Sequence, residues 1–367
     1  VRTAFITDDW AYDKSDNTWT PNGSSFYRAY LPMTLIPGGV MGRPRFTPGQ
    51  GFGINDGTAY GRHGFDTILL KLLMEKWVPK QMEIARQRGQ RLIVDVDDYY
   101  DGLHEDNAAH AATDPAVNPV RNRDIYRRVI ELADVVTVTT PFLQDTYASI
   151  HPDVRVIRNG IHPNMFVQRP ITKRKPVIGW MGATGWRSGD LETMRGWLPA
   201  LLERHNLMFH HSGHHPDAPL AADLIGVPHH RASIYKMLPM RKLAHLMCFD
   251  IGLVPLNDVP FNHAKSNLKG LEYAASGIPF VAQALPEYRY LEASGVGVTA
   301  SSDDEWVAQV TRLLDHTERR KDARRNYDAL MDQWTYLHFK DEWTAVLSPS
   351  TPAQTPQGTQ GQMDPTR

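Results

Sequence analysis

A single cysteine, Cys248, stands in a chain of 367 residues. One thiol can form neither an intramolecular disulfide nor a Cys-based zinc site, so a reducing compartment, the cytoplasm, is expected. Long apolar runs are missing too: none approaches the ~20 residues that a membrane-crossing helix needs. The first residues, Val1-Arg2-Thr3, carry no apolar signal segment. Nor is there an excess of either charge. Forty Lys+Arg stand against forty-one Asp+Glu, which argues against a bulk nucleic-acid binder but leaves room for one small basic cleft. Gly-x-Ser-x-Gly and Walker-A patterns are absent, and no Gly-x-Gly-x-x-Gly links a strand to a helix. What remains is ordinary globular material, 41% hydrophobic and 22% charged, of a length that suits two domains.

Short β-rich runs alternate with amphipathic stretches, the pattern of α/β layers around parallel sheets. Strands are predicted over 3–7, 66–70, 91–96, 134–138 and 154–157. A polar, aromatic loop leads to Gly23, and a helix from Ser24 or Ser25 to Leu35 is weakened by Pro32. Residues 38–64 read as loop with one irregular strand, and 101–120 as loop. Helices are predicted over 78–88, 121–133 and after Pro141. The basic, Pro-bounded segment 169–176 reads as a hinge.

Beyond the hinge the pattern restarts. Strands are predicted over 177–181, 207–212, 249–256, 279–283 and 296–300. Helices follow Gly189 (with a kink at Pro199), cover 240–247 and 266–276, and start at Asp303 as N-cap. The resulting division is 1–168, the hinge, 177–321, a helical segment 322–347 packing back on the first half, and a disordered Pro/Gln-rich tail, 348–367.

In open parallel sheets, ligands bind beyond the carboxyl ends of the strands. The segment that matters most runs from Phe249 to Val281. A strand ending at Leu256 is followed by a polar loop that delivers Lys265 and Ser266 to a helix N-terminus. Backbone N–H groups and the helix dipole favour an anion there, and Lys265 and Lys269 add positive charge. Glu272, two turns on, suits the vicinal hydroxyls of a ribose. A solvated helix face, with Lys269 and Glu272 paired at i, i+3, is the competing reading of the same residues.

This segment resembles the donor-binding region of GT-B glycosyltransferases, above all the large retaining family often called family 4. Three other stretches carry the same resemblance in the expected order. Arg158-Asn159-Gly160-Ile161 with Phe166 is similar to the family's hinge sequence. Ile178-Gly179-Trp180-Met181-Gly182, with Ala183, Thr184 and Arg187, is similar to its first C-domain strand and phosphate loop. Asp250–Leu256 resembles its "DIGL-x-PL" strand. The resemblance implies an α/β chain of GT-B fold, with two Rossmann-like domains facing a central cleft.

It also implies a nucleoside diphosphate sugar as co-substrate, with no other cofactor and no metal. Gly182, Ala183, Thr184 and Arg187 would contact the diphosphate together with Lys265, Ser266 and Lys269, and Glu272 would hold the ribose. Gly23, Ser24 and Ser25 would face the donor, while Tyr27, Arg28 and Asp98 would line the acceptor side. Asp97, Arg187 and Lys265 are the expected catalytic residues. Asp97 either orients a sugar hydroxyl or accepts the acceptor's proton. The acceptor is left open among glycan, protein and lipid, with modified DNA less favoured by the neutral charge.

Two positions depart from the family pattern. The first glutamate of its E-x7-E motif is replaced by Ala264, and the strand-end His-Asp by Asp97-Asp98. Asp95, Asp97 and Asp98 also resemble a metal-binding DxD, against which stands loop capping. The pairs His210-His211, His214-His215 and His229-His230 look like ligands, yet neighbours on a strand point to opposite faces. Cys248 reads as a small core residue. The basic runs 86–91 and 121–128 read as solvated helix surface or a peripheral contact with an acidic membrane. Two rivals survive: a nucleotide-sugar 2-epimerase of the same fold, and a non-catalytic sugar- or nucleotide-binding module.

Overall fold

The computed structural model describes residues 2–13, 17–46, 51–55, 61–166, 168–187, 189–234 and 247–348. The predicted helix 240–247 lies outside them except for Met247, as does the tail beyond Ser348.

The first sheet starts with β1 (Thr3–Thr7), from whose end the hairpin β2 (Trp10–Asp13) and β3 (Thr18–Pro21) projects. It continues with β4 (Val40–Phe46), β5 (Phe52–Asn55), β6 (Thr67–Lys71), β7 (Arg91–Val96), β8 (Val135–Val138) and β9 (Val154–Val156). The strand order is β5-β4-β1-β6-β7-β8-β9, parallel except for the antiparallel edge β4–β5. The second sheet comprises β10 (Val177–Met181), β11 (Met208–His214), β12 (His230–Ile234), β13 (Ile251–Val254), β14 (Phe280–Gln283) and β15 (Val298–Ala300). Its order, β12-β11-β10-β13-β14-β15, is parallel throughout. Each sheet changes its direction of growth beside its first strand, β1 or β10, and opens a crevice there.

Period-two alternation decides what covers each face of the first sheet. Ala4, Ile6, Ile68, Leu70, Leu92 and Val94 point to one side and pack on Val78, Met82 and Val129 of the crossover helices. Phe5, Leu69 and Ile93 point to the other and meet Ala29 together with Trp343, Val346 and Leu347 of the helix Lys340–Leu347. The last helix among the described residues therefore covers the sheet formed by the first half. It is reached through the helix His316–Gln333, which runs straight across position 321/322.

The helix from Gly23 to Leu35 contains a π-helical turn, Phe26–Tyr30, in which the Leu31 N–H bonds to the Phe26 carbonyl five residues back. Pro32 lacks the N–H that would reach the Arg28 carbonyl and its ring crowds that oxygen, so the turn widens instead of breaking. Pro199 causes no kink either: it is the second residue of the helix Leu198–His205, where its missing N–H disrupts no bond.

Other expectations need correction. The polar loop before Gly23 contains the β2–β3 hairpin, and 38–64 supplies two strands rather than one. Within 101–120, Asn107 caps a short helix, Ala108–Thr113, by accepting the Ala109 N–H at 2.9 Å. The N-cap of the helix Asp303–Leu314 is Ser302, whose Oγ accepts the Glu305 N–H at 3.3 Å. Cys248 is exposed, because its neighbours Met247 and Phe249 take the two inward positions.

Candidate active site

The crevice of the second sheet lies between the loops after β10 and β13. At the end of β10 the chain turns tightly under Trp180; a Cβ on Gly182 would fall 2.7 Å from that indole. Tyr273 holds the turn from below by accepting the Met181 N–H at 3.0 Å, and Lys269 donates to the Met181 carbonyl. The Gly182 N–H is engaged by the Ser212 carbonyl at 2.9 Å and the Thr184 hydroxyl by the Pro219 carbonyl at 2.7 Å. Of the backbone groups expected at a diphosphate, the Gly182 N–H is thus turned onto β11 instead. The N–H groups of Ala183 and Thr184 have no partner among the described residues.

After β13, the loop brings Lys265 and Ser266 to the start of the helix Leu268–Ala275, which carries Lys269 and Glu272. These four residues and Arg187 line a cavity of about 220 Å³, closed from the first half by Ser24, Asp97, Asp98 and Asn159. Arg187 also lines two adjoining cavities, of about 540 and 330 Å³, on the side of Leu103 and Asn107. It therefore stands where three hollows of the cleft meet.

The two halves touch around this cavity. Lys265 Nζ lies 3.1 Å from Asp98 Oδ1 and 4.2 Å above the Phe261 ring. Asn159 donates to Ser266 Oγ at 3.0 Å, and Arg158 forms a two-pronged pair with Glu287 at 3.0 and 3.2 Å. Gly160 allows the return crossing of the chain, since a Cβ there would lie 2.5 Å from the Tyr336 backbone.

Burial and the repulsion of Arg187 push the Lys269 ammonium down to about 7. Burial raises the Glu272 carboxyl, against the opposing pull of Lys269 and of the Tyr27 hydroxyl that donates to it at 2.9 Å. Lys269 and Glu272 each have a tertiary partner, so they are not a solvated helix face. Burial alone would also raise Asp97. The Lys71 ammonium paired with it, the Ser24 hydroxyl and Arg28 outweigh that effect and hold it below the usual carboxylate range.

The structure moves three expected positions. Arg28 does not line an acceptor side: it is fully buried, with its guanidinium 2.7 Å from Asp95 and a further bond to the Ile157 carbonyl. Tyr27 is buried against Glu272 of the helix Leu268–Ala275 and does not line the cavity. Ala264 faces away from the cavity; it is fully buried with Phe261 in the apolar core of the first half, and its carbonyl accepts from Thr140 Oγ at 3.1 Å. A glutamate there would bury a carboxylate among apolar groups. Gly23 opens the helix whose next residue, Ser24, lines the cavity.

Asp95 is engaged by Arg28 and by Thr137 at 2.7 Å, and Asp97 by Lys71, so the acidic trio does not converge on one point. Lys71 and Tyr288 belong to the site or its support and were not singled out from sequence. For Lys71 the signal was available: a lysine closing the buried strand Thr67–Lys71 requires an acid beside it. In the basic runs, Arg86 and Arg88 are exposed, and Arg127 and Arg128 pair with Asp101 and Glu131. No helix among the described residues is long and apolar enough to cross a membrane.

No protein-family model matches the chain, and no curated protein matches it. Solved structures do match. Sucrose-phosphate synthase from Thermosynechococcus elongatus shares 14% identity at a TM-score of 0.59, over 94% of this chain and 98% of that one. Anabaena HepE in complex with UDP shares 11% identity at a TM-score of 0.58, over 95% and 99%. OtsA, in its apo structure, shares 14% identity at 0.52, over 78% of this chain and 73% of its own. The likeness is one of architecture along nearly the whole length of the first two. The chain has the GT-B fold: two Rossmann-like halves facing a central cleft.

Proposed function

We propose that the protein transfers a sugar from a nucleoside diphosphate sugar to an acceptor hydroxyl, without a metal. One observation carries the reading: Arg187, Lys265 and Lys269 converge with the buried Glu272 on one cavity, across from Asp97 and Asp98. The three cations hold the diphosphate and stabilise the negative charge that develops on the departing nucleotide, the task a metal ion performs elsewhere. Glu272, fixed at one oxygen by Tyr27, accepts from the ribose hydroxyls with the other. Asp97, kept ionised by Lys71, is a poor proton acceptor and serves to orient a sugar hydroxyl. Closure of the cleft excludes water that would hydrolyse the donor. The resemblance to family 4 supports a retaining, hexose-transferring enzyme, and the UDP-bound HepE supports testing UDP-sugars first.

The test is a thermal-shift panel of UDP-, GDP-, ADP- and dTDP-glucose, since a ligand that binds only the folded state raises stability by mass action. At least one should raise the melting temperature, and Glu272→Ala should abolish that rise. A flat response to all four would overturn the donor site. Chemical change of the donor without any acceptor would point instead to an epimerase of this fold.

A further inference from the structure

The paired histidines have no part in the reading above, and one of them occupies a particular place. His211 lies on β11, fully buried, with its ring 5.1 Å from that of Trp180. Its neighbour His210 points to the other face and bonds to Ser233 Oγ at 2.8 Å. His211 Nδ1 accepts the Ala221 N–H at 3.2 Å, and Nε2 lies 2.9 Å from the Gly182 carbonyl oxygen. An imidazole that accepts at Nδ1 carries its proton on Nε2, so it donates to Gly182. Burial pushes this ring down to about 4 against the opposing effect of the bond to the Gly182 carbonyl, and the charges of His214, His210 and Lys269 add to the lowering. At neutral pH it is uncharged and held in one tautomer.

The consequence follows from peptide planarity. In a trans peptide the carbonyl of one residue and the N–H of the next point in opposite directions. Clamping the Gly182 carbonyl onto β11 therefore turns the Ala183 N–H away from β11. The Gly182 N–H is held on the same strand by Ser212, so both ends of this turn are fixed. Lys269 Nζ lies only 3.4 Å from where a Gly182 Cβ would be, which places the turn against the cationic group of the cavity.

We propose that His211 is a positioning residue for the donor's diphosphate: by holding the Gly182 carbonyl, it aims the Ala183 N–H at the anion. This rests on the nucleotide-sugar reading. The experiment compares the parent with His211→Phe, which keeps the ring and loses both bonds, and His211→Gln, whose amide nitrogen replaces Nε2–H. Binding of the tightest ligand among UDP, GDP, ADP and dTDP is measured by calorimetry, and amide exchange over residues 182–187 by mass spectrometry. His211→Phe should weaken binding about tenfold and speed exchange, while Gln restores most of both. If His211→Phe does not fold, His211→Asn, too short to reach Gly182, takes its place. Parent-like affinity in the Phe or Asn variant, or affinity lost equally in Gln and Phe, overturns the proposal and leaves the donor site standing. If the parent binds no nucleotide, the donor site and this role fall together, and unchanged exchange would show that His211 does not hold the turn at all.

Discussion

The two halves meet at the cleft with opposite electrostatic habits. On the first sheet, each buried cation has its own carboxylate: Arg28 has Asp95 and Lys71 has Asp97, all within one half of the chain. On the second, Lys269 donates to a backbone carbonyl, Arg187 approaches Asp190 only to 3.9 Å, and Lys265 reaches across to Asp98 of the other half. Self-compensated ions hold a fold in shape and have little capacity for a ligand. Cations with incomplete compensation leave the second half prepared for an anion. The comparison explains why Arg28, conspicuous beside the cleft in sequence, belongs to the scaffold.

Removing Arg28 should have the largest effect. Arg28→Met leaves Asp95 buried without its partner and should cost about 3–5 kcal/mol of stability in chemical denaturation. Adding Asp95→Leu should recover most of the loss; if the single variant is as stable as the parent, the first half's pairs are not structural. Next comes Lys265→Ala, which should weaken nucleoside diphosphate binding about 10- to 100-fold while changing the melting temperature little. The reverse, a stability loss with unaltered binding, would make Lys265 a scaffold residue like Arg28.

A third, smaller effect concerns pH. Lys269 titrates near 7 in the free protein. A bound diphosphate favours its charged form and raises that value, so binding takes up a proton. Affinity should be greatest below about pH 7 and fall as pH rises through it, by at most about tenfold per unit. Calorimetry in buffers of different ionisation enthalpy checks the proton uptake, and Lys269→Met should remove it. The smallest effect is expected at acid pH. Asp97 is depressed below its ordinary value of 3.8, so its contribution is present above that value and is lost as pH falls through the folded one. Asp97→Asn should flatten the acid limb of the stability curve read by chemical denaturation across acid pH.

Much of the fold was legible from local patterning. The strands 91–96 and 177–181 coincide with β7 and β10, because a central parallel strand buried on both faces reads as a continuous apolar run. β4 and β5 were not: Gly42, Pro44 and Gly53 interrupt them, and they gain their pairing only from β1 and from each other. Within the site, Lys265, Ser266, Lys269 and Glu272 could be found because they follow the strand ending at Leu256, where connectivity predicts a crevice, whereas Arg187 came from the resemblance. Tyr27 and Arg28 could not be placed. Adjacent residues on a widened helical turn, they diverge to partners 245 and 67 positions away.

Sequence alone determined the two α/β halves and the lysines at the helix N-terminus of the second, since strand periodicity and helix N-termini are local properties of the chain. Only the tertiary structure decided which charges are compensated. That depends on distances between residues far apart in sequence, and a composition with nearly equal acids and bases is silent about them. Ala264 shows the same division: from sequence it is only a position where the E-x7-E motif lacks its first glutamate, whereas the fold makes it part of the apolar core with Phe261, its carbonyl accepting from Thr140.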